Sequence, residues 1–118
     1  MPEHPLMRQL VWTAGGIRCA APLDALSEVV PAGALTPIPG ADGAICGLAN
    51  VRGRVVTVID GRVLVGAPSA EPPALLVLVR VGGRLLALGV DEVEDLVTDL
   101  DGARPLDLEA LLAPFFPE

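Results

Sequence analysis

Apolar residues fall in short runs along this chain, broken by glycine and proline, and almost nowhere recur at helical spacing. That pattern predicts strands joined by tight turns, an all-β fold. Leu10 to Ala14 reads as a strand, Gly15-Gly16 as a two-residue turn, and Ile17 to Ala21 as the hairpin partner. Pro22 ends that strand, Leu23 to Leu26 suits a single helical turn, and Glu28 to Val30 is extended again. Pro31 to Gly43, rich in Pro, Gly and Ala, reads as an ordered loop with an edge segment. Gly47 to Val51 and Val55 to Asp60 are the next strands, joined through Arg52-Gly53-Arg54. Arg62 to Val65 suits a short helical turn ended by Gly66, and Ala67 to Pro73 is a linker. Leu75 to Val81 and Arg84 to Val90 flank Gly82-Gly83 as a second hairpin, and Asp91 to Val97 continues extended. Asp107 to Leu112 reads as one short helix, stopped by Pro114.

The two hairpins resemble each other. Superposing Gly15-Gly16 on Gly82-Gly83 brings Ala20 onto Ala87, Leu23 onto Val90 and Asp24 onto Asp91. It also brings Leu26 onto Val93, Glu28 onto Asp95 and Val30 onto Val97. The repeat points to two related β lobes, and small curled sheets of this kind remove exposed edges by closing on themselves.

Composition bounds the rest. A chain of 118 residues makes one domain, here placed at 10–112 with tails at 1–9 and 113–118. Hydrophobic residues make up 52% of the chain and aromatic ones 3%, so the core must be aliphatic. The net charge is −7, and all eight basic residues are arginine. That balance disfavours binding to nucleic-acid phosphates or to anionic membranes. Met1 to Gln9 shows no apolar run of the signal-peptide kind, and no stretch approaches the ~20 residues that span a bilayer. A soluble, cytoplasmic protein is the expectation. Cys19 and Cys46 have neither redox nor zinc spacing, and both are expected to be small buried hydrophobes without a disulfide.

The catalytic inventory is thin. His4 is the only imidazole, Ser27 and Ser69 are the only serines, and Lys and Tyr are missing. A nucleophile needs a positioned base, and zinc needs three or four soft or nitrogen ligands. Carboxylates at Asp91, Glu92, Glu94, Asp95, Asp99 and Asp101 leave a carboxylate-dependent enzyme or cation site as an alternative. The plainer reading is a solvated surface, because charge runs usually face water. The expectation is a protein that is not an enzyme and holds no cofactor.

The most specific stretch is Gly47 to Arg62, GLANVRGRVVTVIDGR. Its residues have a structural logic of their own. Gly53 suits a turn needing positive φ, Asn50 can bond turn backbone, and Asp60 can cap the helical turn that follows. Arg52 can pair with Glu28, its guanidinium fork matching a carboxylate.

The same stretch resembles the signature of the CheW-like coupling family: Gly, an apolar pair, Asn, apolar, Arg-Gly, an apolar strand, Asp, and Arg two residues later. Gly47, Asn50, Arg52, Gly53, Asp60 and Arg62 match it. Upstream, Leu26-Ser27-Glu28-Val29 is similar to the family's apolar–x–Glu–apolar motif; downstream, Val90, Asp91 and Val93 are similar to its Val-Asp-x-Val. The resemblance covers about Leu10 to Leu112. It implies two small SH3-like β-barrel lobes sharing a core, with no catalytic activity. It implies as partners the cytoplasmic tip of a chemoreceptor, a CheA-type histidine kinase and other CheW-like proteins, in cytoplasmic receptor clusters. The implied receptor groove contains Leu26, Glu28, Gly47, Arg52 and Val93, supported by Asn50, Gly53, Asp60 and Arg62.

One departure stands out. Asp99 to Ala103 joins the second hairpin almost directly to Pro105, where the family carries some tens more residues. A shortened second lobe is expected, and with it weak or lost kinase coupling. In this the chain is similar to FrzB-type accessory members. A receptor-only adaptor or array-capping module is therefore the alternative to full coupling.

Overall fold

The protein is described by a computed structural model that covers residues 9–22, 26–40, 43–94 and 102–115. Among these residues nine strands form two sheets, with two short α-helices. The first hairpin is β1 (Gln9–Ala14) and β2 (Ile17–Pro22), followed by β3 (Leu26–Pro31). Next come β4 (Ile45–Val51), β5 (Arg54–Asp60) and α1 (Gly61–Leu64). The second hairpin is β6 (Leu75–Val81) and β7 (Arg84–Val90), followed by β8 (Glu92–Val93), β9 (Arg104–Pro105) and α2 (Leu108–Leu112). One sheet has the order β8-β1-β2-β9, and the other β3-β6-β7-β5-β4.

The continuous apolar runs follow from burial on both faces. Successive residues of a strand point to opposite sides. In β1, Leu10, Trp12 and Ala14 face the main core; in β6, Val77, Val79 and Val81 do the same, and so do Leu86, Leu88 and Val90 of β7. The residues between them face inward within their own lobe. Leu76, Leu78 and Ala87 join Val56, Val58, Ala49 and Ala32 inside the five-stranded lobe. Val11, Ala20 and Ala103 fill the four-stranded one.

The sequence repeat is a structural one, and it is crossed. β3 leaves the first hairpin and pairs with β6 of the second, Leu26 opposite Val79. β8 leaves the second hairpin and pairs with β1 of the first, Val93 opposite Trp12. Superposing Gly15 on Gly82 carries Trp12 onto Val79 and Leu26 onto Val93, so the two pairings are the same pairing seen from each half. A second correspondence follows. β5 lies parallel to β7, with Val58 opposite Ala87, and β9 lies parallel to β2, with Pro105 opposite Ala20. Asp60 caps α1 by accepting from the Arg62 N–H, and Asp107 caps α2 by accepting from the Ala110 N–H. Superposing those caps carries Val56 onto Ala103, the interior residues of the two lobes.

The expected shortening is therefore located. The five-stranded lobe continues from β3 through a loop whose Thr36 bridges Leu48 of β4, with N–H···O bonds of 2.8 Å in both directions. Residues 94–103 join β8 to β9, against residues 32–53 between β3 and β5, and among the described residues β9 ends its sheet with no counterpart of β4 beside it. Because the third strands cross over, the segment missing after the second hairpin leaves its gap in the sheet built on the first.

Two local expectations are corrected. Leu26 opens a strand, not the last residue of a helical turn, because its backbone pairs with β6; residues 23–25 lie outside the described set. Pro114 does not stop the C-terminal turn outright: the α-helix ends at Leu112, and Ala113–Phe115 continues as a 3-10 turn. A proline near a helix start needs no N–H donor, and the tighter turn tolerates it there. Of the expected strand at Asp91 to Val97, Glu92–Val93 is extended and the part from residue 95 on lies outside the described set.

Candidate partner-binding site

The site begins at the β4–β5 turn. Arg52 has φ 53 and Gly53 φ 83, both left-handed. Two such residues match the right-handed strand twist in a two-residue hairpin turn. Gly53 adopts that conformation freely, whereas an arginine there is uncommon. Asn50 stabilises it, its Oδ1 accepting from the Gly53 N–H at 2.9 Å. The turn aims Arg52 at β3, where Nη1 donates to Glu28 Oε1 at 2.5 Å. The exposed Arg52 guanidinium is held protonated above its ordinary range, first by this hydrogen bond and then by the Glu28 charge.

Leu26 and Val93 are half-buried and pack against the main core. They sit on the two exchanged strands, in equivalent positions of the two halves. Gly47 belongs elsewhere. It lies at the far end of β4 from Arg52, and five residues of strand span about 16 Å. At φ 144 a side chain is disfavoured, and a Cβ there would meet the Thr36 carbonyl oxygen at 2.4 Å. Its place in the motif is thus accounted for by the loop that closes the five-stranded lobe.

Behind the surface lies a buried charge network. Arg62, 3% exposed, donates from Nε to Asp60 Oδ1 at 2.9 Å and from Nη2 to Oδ2 at 3.1 Å. Nη2 also reaches the Glu71 carbonyl at 2.6 Å, and Nη1 reaches Asp91 Oδ1 at 3.3 Å. Asp91 Oδ2 accepts from the Gly15 N–H at 2.7 Å. One guanidinium thus ties α1, the linker and the end of β7 together, and Asp91 extends the tie to the first hairpin. Arg18 of β2 adds a second link, forking onto Glu94 at 2.8 and 2.9 Å. The Arg18 hydrogen bond holds the Glu94 carboxyl below the usual carboxylate range.

Sequence reasoning named Asp60 as a cap and Arg62 as a motif residue. It missed that they form a bidentate pair, and that Asp91 and Glu94 are arginine partners. The spacing Asp-x-Arg was the available signal for the first. Nothing local joins Arg18 to Glu94, which the crossed strands bring together. With Asp91 and Glu94 so engaged, no group of three or more His, Cys, Asp or Glu suited to a metal ion exists among the described residues. Asp95, Asp99 and Asp101 lie outside them.

Cys19 is buried and Cys46 half-buried, and both are free thiols. Burial raises the Cys19 thiol; burial, with the Asp60 carboxylate next in importance, pushes Cys46 up to about 11. The thiolate is the reacting form. Alkylation by iodoacetamide at pH 8 should therefore be slow for both in the folded protein and fast in denaturant. Rapid native labelling of Cys46 would show that its thiol is not held protonated. The raised value also makes the folded state lose stability as pH climbs from about 9, where an unfolded thiol ionises, through about 11.

The family model for the CheW-like domain matches residues 8–112. The chain belongs to the CheW-like domain family. It is 34% identical over 68 residues to the chemotaxis protein CheW of Rhizobium meliloti (strain 1021), a match covering 56% of this chain and 44% of that protein. It is also similar in fold to the scaffolding protein TtCheW from Thermoanaerobacter tengcongensis, with TM-score 0.71 and 23% identity, over 78% of this chain and 64% of that one. The chain thus spans less than two thirds of the length of either relative. As a CheW-like domain, it keeps the two-lobe arrangement while one lobe has four strands. No helix among the described residues is long and apolar enough to cross a membrane.

Proposed function

We propose that this CheW-like domain is a non-enzymatic scaffold of a chemotaxis-type signalling system that binds the cytoplasmic tip of a chemoreceptor. The observation that carries the reading is the Glu28–Arg52 pair, held on an exposed surface by a turn built for it. An exposed pair adds little to folding, because water screens it. A left-handed arginine, an Asn brace and a short hydrogen bond are therefore a costly way to stabilise a hairpin, and a sensible way to present charge to a partner. Receptor tips are helical hairpins in this reading. Leu26 and Val93 supply the apolar contact of a helix-in-groove interface, while Glu28 and Arg52 set its register. The site acts by binding alone, in cytoplasmic receptor clusters, with no cofactor.

Arg52→Glu tests this. The substitution sets a like charge against Glu28 and should weaken binding to a purified receptor cytoplasmic fragment about tenfold. The circular dichroism spectrum should stay unchanged, because the side chain is exposed. Equal affinity for a folded Arg52→Glu protein removes Glu28 and Arg52 from the site.

A second reading has its own support. Among the described residues β9 has no further neighbour in its sheet, which favours an accessory, receptor-only adaptor or array-capping module over a full link to a CheA-type kinase or to other CheW-like proteins.

A further inference from the structure

The chain is acidic overall, yet four of its eight arginines gather at one end of the five-stranded sheet. β5 and β7 are parallel neighbours, so they start at the same end, β5 with Arg54 and β7 with Arg84. Arg52 lies in the turn before β5, and Arg80 sits on β6 opposite Leu85, just before the Gly82-Gly83 turn. All four are exposed. Arg52, Arg54 and Arg80 border a shallow depression whose apolar lining is Val51, Leu78 and Leu85. Glu28 is there as well, but its carboxylate is already bonded to Arg52. Val55, beside Arg54, is 65% exposed.

We propose that this basic end docks an acidic protein segment, its carboxylates taken by Arg54 and Arg80 and an aliphatic side chain lodged in the depression between them. Glu28 offsets Arg52, so Arg54 and Arg80 leave the hollow net positive, and planar guanidiniums match carboxylates in fork geometry. The apolar lining suits a side chain, which neither a phosphate backbone nor a lipid headgroup supplies. A long polyanion would also run from this patch onto a chain of net charge −7. The depression shares Glu28 and Arg52 with the receptor reading, and what the inference adds is carried by Arg54 and Arg80, which lie outside Leu26, Glu28, Gly47, Arg52 and Val93.

The experiment is fluorescence anisotropy at low ionic strength, with the full chain and a labelled synthetic peptide of alternating Glu and Leu. A peptide with Lys for Glu, phosphatidylserine vesicles and a single-stranded oligonucleotide serve as comparison probes. The Glu peptide should bind and the Lys peptide should not. Arg54→Glu with Arg80→Glu should weaken binding about tenfold or more, and a neutral Arg54→Gln, Arg80→Gln pair should weaken it less. On the unmodified chain, amide shifts induced by the Glu peptide should centre on Leu78 and Leu85, a readout that needs no variant. Self-association abolished by the same charge reversals would make a second copy the source of the acidic segment and would support the inference. Receptor-fragment binding should survive those reversals; if no receptor fragment binds at all, the receptor reading fails and this one stands. Failure of the Glu peptide to bind, equal binding by the folded charge-reversed protein, or equal affinity for the Lys peptide overturns the inference. So does loss of vesicle or oligonucleotide binding in the variant with peptide binding intact.

Discussion

Arg62→Ala is expected to destabilise the protein by about 3–5 kcal/mol, the range for breaking a buried ion pair from one side. The substitution leaves Asp60, 7% exposed, as a charge without its partner, since both its oxygens now face Arg62. It also strips a donor from the Glu71 carbonyl and from Asp91. Domains of this kind are stable by roughly 5–15 kcal/mol, so the loss brings the fold close to collapse. Asp60→Asn with Arg62→Met is the informative control, because it removes both charges and buries none alone. It should cost clearly less than Arg62→Ala by itself. Urea unfolding followed by the fluorescence of Trp12, the only tryptophan and fully buried, measures both. A loss under about 1 kcal/mol for Arg62→Ala would mean that water reaches the pair.

A CheA-type kinase regulatory domain should bind this chain weakly or not at all, while a receptor fragment binds it measurably. Stable complexes bury about 800 Å² on each partner. Among the described residues the four-stranded lobe has no counterpart of β4, and its buried interior is Val11, Ala20 and Ala103. Nor can a partner readily restore the missing strand. The Leu106 N–H points inward to the Ala20 carbonyl, so the neighbouring Pro105 faces outward, and proline offers no donor there. Glu28, Arg52 and Leu26 belong to the five-stranded sheet and its turns, and Val93 lies on β8, at the opposite edge of the four-stranded sheet from β9. Titrating the purified regulatory domain against this chain and against a longer CheW-like protein decides the matter. Comparable affinities would show that the absent strand is not part of the kinase contact, and the ordinary coupling role would follow.

The hairpins were legible because each carries its own turn chemistry. Gly15-Gly16 and Gly82-Gly83 announce two-residue turns, and the apolar runs beside them can only be strands. The β4–β5 turn was less so, since an arginine at positive φ carries no signal beyond the Asn and Gly around it. The Glu28–Arg52 pair is legible in the residues themselves, a guanidinium matching a carboxylate, and the structure joins them. Gly47 is grouped with them by the family motif alone, and the structure sets its backbone against Thr36. A motif records that residues matter together, not that they touch. What stayed hidden was the crossing of β3 and β8, because strand exchange leaves every local pattern as it would be without it. The Arg18–Glu94 link depends on that crossing and was hidden with it, whereas Arg62 meets Asp91 because β5 and β7 lie parallel in one sheet, a pairing that no local pattern announces.

The crossing also sets the order in which the molecule can be made. The first hairpin leaves the ribosome well before β8, β9 and Ala103. Until then β1 has no second neighbour, and two edges stay open to wrong partners. Pairings of such long sequence separation are slow to form. Neither half completes a sheet from its own strands, so a nick in the linker at 67–73 would give two fragments that fail alone and become structured only when mixed.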